Sequence, residues 1–233
     1  TKLLFLETPS NPLGEVADLE ALAELAHSIG ALLVVDNSLL SPVGSQPLKH
    51  GADISVSSAT KAIDGHGRVM GGVLAGSEEL MTQVAVYCNS CGLAMSPFNA
   101  WQLLSGVETL SLRMEKQFDN ALKIAQWLQA QPQVQAVYYT GLPDHPQAEL
   151  IRKQQNGGGI VIGFEVADTD AAWKIVDSVE LFSRTANLGD VRSTITHPWT
   201  TTHGRMQPEE KLAANIRPGL VRLSVGLEYV DDL

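Results

Sequence analysis

The first half of this 233-residue chain alternates short apolar runs with stretches of helical periodicity, and this alternation constrains the fold most strongly. The apolar runs cover residues 3–6, 31–35, 54–58 and 69–75. The run at 31–35 does not alternate with polar residues, as expected for a strand buried on both faces. Because strands that alternate with helices form parallel sheets, the sequence predicts an α/β fold with a mostly parallel sheet.

Helical patterns lie between and after these strands. Asp18 can cap the first helix, and Gly30 closes it. Four apolar positions are predicted to share one face of this helix: Leu19, Leu22, Leu25 and Ile29. A long helical stretch is predicted over residues 97–131, with Trp101 and Phe118 at core positions.

From about residue 134 the pattern changes to that of an α+β domain. Strand-like and helix-like segments now occur at residues 134–139, 148–154, 159–166, 169–179 and 220–227. We therefore predict a first domain over residues 1–131 that ends in the long helix as a bridge. A second, smaller α+β domain is predicted over residues 132–233.

The composition excludes several classes of partner. The chain has a formal net charge of -10 and no cluster of Lys or Arg, so a nucleic-acid partner is not expected. No apolar run is long enough to cross a bilayer and no signal peptide is visible, so we expect a cytoplasmic protein without a membrane partner. The chain begins at Thr1 and not at Met, and we expect it to be a fragment or a processed product.

The thiols and imidazoles predict no metal site. Cys88 and Cys91 lack two further zinc ligands nearby, so reduced thiols are favoured over a disulfide or redox pair. His27 and His50 are expected at the surface, and no histidine spacing indicates a catalytic metal. Three histidines are candidates for pocket positions: His66, His197 and His203.

Three polar residues lie at or just beyond strand ends in the first half. Asn11 follows the first strand, Asp36 ends the second, and Lys61 follows the third, at intervals of 25 residues. Ligands in open α/β sheets bind beyond the carboxyl ends of the strands, so these residues are expected to converge on one crevice.

The chemistry of these residues suits pyridoxal phosphate. A partly desolvated Lys61 can form a Schiff base with an aldehyde, and a carboxylate such as Asp36 can keep a pyridine nitrogen protonated. Asn11 can hydrogen-bond a phenolic oxygen, and the hydroxyls of Ser58 and Thr60 can hold a phosphate. Taken alone, Asp36 is more often a strand-end cap and Lys61 a solvated lysine, so the combination carries the prediction.

Several motifs resemble the Cys/Met-metabolism family of fold-type-I pyridoxal-phosphate enzymes. They are E-T-P-S-N-P, V-V-D-N-S, S-S-A-T-K, G-H-G-R-V-M-G-G, T-T-T-H-G-R and L-V-R-L-S-V-G-L-E. Within the family, D-G-H-G-R-V-M-G-G, S-P-F-N-A-W and A-N-L-G-D are most similar to the O-succinylhomoserine sulfhydrylases. The resemblance implies that the chain holds the second half of the family's large domain and its smaller C-terminal domain.

The same resemblance implies a role for each candidate residue. Lys61 would bind the cofactor and carry protons, while the residues predicted above to contact the ring and the phosphate keep those roles. Arg222 would bind the substrate's α-carboxylate, and its position on the less apolar face of the final predicted strand agrees with this. Two residues depart from the usual pattern: Ala62 replaces an aromatic residue, and Asn187 replaces a serine at the carboxylate site.

The activity implied by the resemblance is γ-replacement, in which sulfide displaces succinate from O-succinylhomoserine to give homocysteine. Cystathionine γ-synthase and cystathionine or methionine γ-lyase share this chemistry and stay open as alternatives. The implied assembly is a homotetramer, and the non-enzymatic alternative is a truncated, cofactor-free interaction domain. A nicotinamide-binding fold is rejected, because the G-x-G-x-x-x-G pattern from Gly65 to Gly71 is one residue too long and lies before a strand.

Overall fold

The computed structural model describes residues 1–233. Its strands are β1 (Leu3–Glu7), β2 (Leu32–Asp36), β3 (Ile54–Ser58), β4 (Gly72–Gly76), β5 (Ala136–Tyr138), β6 (Val161–Glu165), β7 (Ser183–Arg184), β8 (Thr194–Thr196) and β9 (Leu220–Ser224). Its helices are α1 (Leu19–Ser28), α2 (Ser41–Gly44), α3 (Glu78–Ser90), α4 (Pro97–Glu108), α5 (Leu110–Gln129), α6 (Ala148–Gln154), α7 (Thr169–Ser178) and α8 (Pro208–Ala213). None of the helices combines the length and apolar content needed to cross a bilayer.

The first sheet has the strand order β1-β2-β3-β4. The pairs β1–β2 and β2–β3 are parallel, and Glu7 lies opposite Asp36 where two strands end. Strand β4 is antiparallel to β3. The loop between these two strands closes on itself, because the Ala59 amide donates to the Gly71 carbonyl (2.9 Å). The chain therefore returns beside β3 instead of crossing over the sheet. The predicted α/β class is confirmed, with mixed sheets.

Helix α1 begins where the sequence predicts but buries a different face. The Asp18 carboxylate accepts a hydrogen bond from the Ala21 amide (3.1 Å) and caps the helix. The buried positions are Leu19, Ala23 and Ala26. Leu25 and Ile29 are exposed, so the predicted apolar face is wrong at these two positions. Small alanine side chains bring the helix close to β2 and take the place of the larger residues.

The helical stretch predicted over residues 97–131 is two helices, α4 and α5, that meet at Thr109. The Thr109 backbone leaves the helical region, with φ -113° and ψ 8°. Helix α3, which the sequence pattern does not predict, has no buried residue. A sequence pattern predicts a helix from its apolar face, so a helix that buries no face is not predicted.

The inner face of α4 is formed by small and medium-sized residues. Leu103 and Gly106 are its buried positions and face the loop that follows β3. Trp101 is therefore 59% exposed, and its predicted core position is wrong. Phe118 on α5 packs partly buried against the neighbouring core cluster.

The second sheet has the strand order β5-β6-β9-β8-β7, with β9 at its centre. Strand β9 is antiparallel to both β6 and β8, and all five of its residues are buried. The largest hydrophobic cluster, of 16 buried residues, packs against this sheet. Strands β7 and β8 have two and three residues, too short for a periodic pattern to reveal them.

Helix α5 contributes to the cores of both halves. Leu110 and Met114 at its start belong to a cluster beside the first sheet. Four residues further along belong to the 16-residue cluster: Ala121, Ile124, Ala125 and Leu128. The domain boundary between residues 131 and 132 stays a prediction.

Candidate active site

The polar residues predicted from the sequence lie where three parallel strands end. Asp36 is the last residue of β2, and Asn11 lies in the segment that follows β1. Lys61 lies in the π-helical turn Ala59–Ile63, directly after β3. The ψ angle of Lys61 is -128°, so the turn is kinked at the lysine. This edge of the sheet is the position at which open α/β sheets bind ligands.

The Lys61 ammonium meets a side chain from the second half of the molecule. Its Nζ atom donates a hydrogen bond to Asn187 Oδ1 (2.8 Å), although the two residues are 126 positions apart. Burial lowers the pKa of Lys61 below its ordinary value, and the positive charge of Arg222 lowers it further. A lowered pKa increases the fraction of neutral amine, which is the nucleophilic form.

Arg222, at the middle of β9, is a buried cation whose partners are all uncharged. Its Nη2 atom donates to the Ala186 carbonyl (2.7 Å), and its Nη1 atom donates to Asn11 Oδ1 (3.3 Å). Its Nε atom is buried without a partner. Burial lowers the pKa of Arg222 to about 10. A guanidinium with an unsatisfied N–H suits a carboxylate ligand, because its fork binds both oxygens.

Asp36 is connected to Ser58 through Ser38, a residue that the sequence reasoning missed. Asp36 Oδ1 accepts a hydrogen bond from the Ser38 amide (2.9 Å), and Ser38 Oγ accepts one from the Ser58 amide (2.7 Å). An Asp side chain that binds the amide two residues on forms an Asx turn, so the D-N-S spacing was the available signal. Glu7 also lies at this edge, where burial and the Asp36 charge raise its pKa.

The two hydroxyls predicted to hold a phosphate have different surroundings. Thr60 Oγ1 accepts a hydrogen bond from the Gly71 amide (3.0 Å) and donates to the Gly71 carbonyl (3.4 Å), so it fixes the glycine-rich loop. The Ser58 side chain, by contrast, takes part in no such loop contact, and only its amide is bonded to Ser38. Their role toward a phosphate stays a prediction.

A loop of the second half packs directly on the lysine turn at Gly189. A Cβ atom added there would meet the Lys61 Cβ at 2.8 Å and the Ala62 amide nitrogen at 3.0 Å. Gly189 also has a φ of +84°, and its amide donates to Ser224 Oγ on β9 (3.0 Å). The close approach and the backbone conformation both require glycine, and they connect the second sheet to Lys61.

The histidines predicted near a pocket have separate environments. His197 is fully buried, and its ring bonds to Thr200 Oγ1 (2.9 Å) and the Pro218 carbonyl (2.7 Å), so it packs inside the second half. His66 bonds to the Asp64 carbonyl (2.7 Å) in the loop after Lys61. His203 lies close enough to Arg222 that, after burial, the arginine charge lowers its pKa.

Taken together, the arrangement combines an amine of lowered pKa with a buried, incompletely satisfied guanidinium. The sequence model of the family described as Cys/Met metabolism PLP-dependent enzyme matches residues 1–233. The chain belongs to this family of pyridoxal-phosphate-dependent enzymes. The family and the cofactor predicted from the motifs are thereby confirmed.

Similar proteins carry several related names. An O-succinylhomoserine sulfhydrylase of Pseudomonas aeruginosa is 53% identical over 234 residues, which are 100% of this chain and 58% of that protein. An L-methionine gamma-lyase of Porphyromonas gingivalis is 43% identical over 100% of this chain and 59% of its own length. A crystal structure of cystathionine gamma synthase from Xanthomonas oryzae pv. oryzae in complex with cystathionine has 42% identity and a TM-score of 0.95, over 100% of this chain and 60% of that one.

The residues present fit pyridoxal phosphate. Lys61 has the lowered pKa that attack on an aldehyde needs. Asp36 uses Oδ1 for the Ser38 amide, and its other carboxylate oxygen is available to a protonated ring nitrogen. The unsatisfied Nε of Arg222 fits the carboxylate of an amino acid bound beside the cofactor.

Proposed function

We propose that this chain carries the lysine-bearing half of a pyridoxal-phosphate-dependent transferase. The proposed reaction replaces the succinate of O-succinylhomoserine with sulfide and gives homocysteine. Support comes from the 53% identity to a protein named O-succinylhomoserine sulfhydrylase. Since the chain spans 58% of that relative's length, the activity, the substrates and the partners are all parts of the proposal.

The observation that carries the proposal is the convergence of Lys61 and Arg222 on Asn187. Lys61 Nζ donates to the Asn187 side chain (2.8 Å), and Arg222 Nη2 donates to the Asn187 carbonyl (3.4 Å). An α-amino acid bears its amino and carboxylate groups on the same carbon. A nucleophilic amine beside a carboxylate-binding guanidinium therefore suits this class of substrate.

The residues at the sheet edge would hold the cofactor. Lys61 would bind its aldehyde, Asp36 its ring nitrogen and Asn11 its phenolic oxygen, while Ser58 and Thr60 would bind its phosphate. When bound, pyridoxal phosphate supplies a ring that stabilises negative charge on substrate carbon atoms.

The side chains then bind the substrate and move protons. Arg222 holds the α-carboxylate and fixes the α-carbon next to Lys61. The neutral Lys61 amine removes protons at the α- and β-carbons, and its ammonium form returns them after succinate has left and sulfide has added. Because burial lowers the pKa of Lys61, both forms are within reach for acid–base catalysis. Asn187 orients the amine by accepting its hydrogen bond.

The same residues serve cystathionine γ-synthase and cystathionine or methionine γ-lyase, and these stay alternatives. The higher identity to the sulfhydrylase favours γ-replacement by sulfide. A homotetramer is part of the proposal, and exposed apolar side chains on α3 and α4 support further contacts: Val86, Tyr87, Phe98 and Trp101. The cytoplasmic location stays a prediction.

The test is borohydride reduction of the chain in the presence of pyridoxal phosphate, followed by peptide mapping. We expect the label on the Lys61 peptide, its loss in Lys61→Ala, and its retention in Lys49→Ala, where an exposed lysine of the same half is removed. A Lys61→Ala chain that takes up the label as the unchanged chain does would contradict the proposal. In the full-length protein, transfer of the four-carbon unit to sulfide, its transfer to cysteine, and its release without an acceptor as a 2-oxo acid and ammonia then distinguish the three activities.

A further inference from the structure

Arg113, near the start of α5, is a buried cation that is 5% exposed. It packs against the lysine turn, Ala59–Ile63. Its Nη1 atom donates to the Ala62 carbonyl (2.8 Å). Its Nη2 atom donates to the carbonyls of Ile63 (3.2 Å) and Gly106 (2.8 Å). Because Ala62 and Ile63 directly follow Lys61, the guanidinium binds the backbone of the lysine turn itself.

No carboxylate neutralises this guanidinium through a hydrogen bond. The neighbouring Asp64 is fully buried, and its oxygens accept hydrogen bonds from the Arg68 side chain (2.8 and 3.0 Å) and from the amides of His66 and Arg68. Burial accordingly lowers the pKa of Arg113, and the Asp64 charge offsets this only in part. A buried cation without an ion pair costs free energy, and an apolar side chain would fill the same space at less cost.

What an apolar side chain lacks is the ability to bind several carbonyls at once. The last carbonyls of a helical turn have no amide partner within the turn. In the short turn Ala59–Ile63, which is kinked at Lys61, two of these carbonyls are bonded to Arg113. The planar guanidinium reaches them and the Gly106 carbonyl of α4 simultaneously, which a single ammonium does less well.

Two glycines make room for this arrangement. A Cβ atom on Gly65, which has a φ of +70°, would overlap the Arg113 guanidinium. A Cβ atom on Gly106 would overlap the Ile63 carbonyl. The turn and α4 are therefore in direct backbone contact, and the guanidinium from α5 packs against the glycine that follows the turn.

From these contacts we infer that Arg113 is a positioning residue for Lys61. Its guanidinium binds the last carbonyls of the lysine turn. In this way it keeps the Lys61 amine partly buried and within hydrogen-bond distance of Asn187. The inference rests on the proposed function of Lys61. Arg113 touches neither substrate nor cofactor and acts only through the turn.

The test measures the acid–base behaviour of Lys61 without any cofactor. Trace acetylation of the chain by acetic anhydride from neutral to alkaline pH, read at the Lys61 peptide by mass spectrometry, reports the pKa and reactivity of its amine. In Arg113→Met we expect the Lys61 pKa to rise toward its ordinary value, because a loosened turn exposes the amine to water. Capture of pyridoxal phosphate by Lys61 should weaken by roughly tenfold, or about 1.4 kcal/mol.

Lys211→Met is the matched control. Lys211 is another buried cation (6% exposed), and its Nζ atom donates to the Trp199 carbonyl (2.9 Å) in the second half. This variant should lose stability while Lys61 titrates as in the unchanged chain. Arg113→Lys keeps the charge but not the fork, and it serves as the second variant if Arg113→Met does not fold.

Unchanged titration of Lys61 in both Arg113 variants, together with a loss of stability like that of Lys211→Met, would reduce Arg113 to a structural residue and overturn the inference. An upward shift of the Lys61 pKa in either Arg113 variant, without such a shift in Lys211→Met, supports the inference. Failure of the proposed function would be visible separately, as an unchanged chain that captures no pyridoxal phosphate at Lys61. That result leaves the acetylation comparison intact, since acetylation needs no cofactor.

Discussion

The two sheets differ in how completely the chain covers them. In the second sheet, all five residues of β9 are buried, and one cluster of 16 buried residues packs against it. In the first sheet, four of the five residues of β4 are exposed, and the neighbouring clusters contain 8 and 7 residues. The half that holds Lys61 is thus the less completely covered one.

This difference shows that groups of the well-covered half can reach a candidate site at the edge of the less covered sheet. Asn187, Gly189 and Arg222 all belong to the second half, and they reach the lysine turn or the segment after β1. The second half therefore supplies groups that contact the lysine turn, and the first sheet supplies the strand ends, the position at which open α/β sheets bind ligands.

The largest expected effect comes from comparing a buried aromatic side chain of the second half with an exposed one of the first half. Phe164→Ala on β6 removes a side chain that is 2% exposed, and we expect it to lower the free energy of unfolding by about 3–5 kcal/mol. Phe98→Ala on α4 removes one that is 63% exposed in the single chain, and in the monomer we expect a change within about 0.5 kcal/mol. Urea unfolding measures both, and equal losses would mean that Phe98 is covered in solution and that the comparison fails.

The next effect concerns the contribution of β9 to the site of the other half. In the full-length protein, Arg222→Leu should weaken amino-acid binding by about 2–5 kcal/mol, because the carboxylate loses its buried partner. Removal of the Arg222 charge should also raise the pKa of Lys61, since that charge lowers it in the structure. Arg217→Leu removes an arginine that is 61% exposed at its side chain and should change neither quantity. Loss of cofactor with unchanged amino-acid binding would assign Arg222 to the cofactor instead.

A smaller effect tests the contact between the halves. Gly189→Ala combines the cost of a positive φ with overlap against Lys61, and we expect a loss of about 2–3 kcal/mol. Gly30→Ala is the control, because Gly30 has a similar φ of +66° but nothing within 4 Å of its added Cβ. It should cost about 1 kcal/mol. The difference between the two measures the packing of the second half on the lysine turn, and equal losses would show that the contact is loose.

The prediction with the smallest expected effect tests whether the two halves unfold together. Asp18 and Asp168 cap α1 and α7 in the same way, through hydrogen bonds from the amides of Ala21 (3.1 Å) and Ala171 (2.9 Å). Each change to alanine should cost about 1 kcal/mol. If both lower the same single unfolding transition, the halves form one cooperative unit. Two transitions, each shifted by only one variant, would show that they unfold separately.

The sequence predicted many of the helices and strands well, because the periodicity of apolar residues reflects which side chains are buried. Strand β3 and helix α6 have the predicted bounds. Helix α3 was missed and Trp101 was misplaced, because both concern apolar residues that the chain leaves exposed. The pattern of a sequence states which side chains are apolar, but tertiary contacts decide which of them are covered.

The candidate site was predicted to the extent that its residues lie in short motifs. The strand-end positions of Asn11, Asp36 and Lys61 follow from local pattern and parallel pairing. The contact from Lys61 to Asn187 spans 126 residues, and no spacing within one sequence reveals it. Arg113 was missed for a related reason, since an arginine in an amphipathic helix reads as solvated until its carbonyl partners are known.

The close packing of Gly189 against the lysine turn has a consequence for any movement of the second sheet relative to the first. Its backbone abuts the lysine turn, while the same loop supplies Asn187 and is bonded to Arg222 through the Ala186 carbonyl (2.7 Å). A hinge rotation of the second sheet away from the first would therefore withdraw the hydrogen-bond acceptor, the carboxylate-binding group and the cover over the amine in one movement. In such a rotation, opening of the cleft and hydration of the Lys61 amine would occur together.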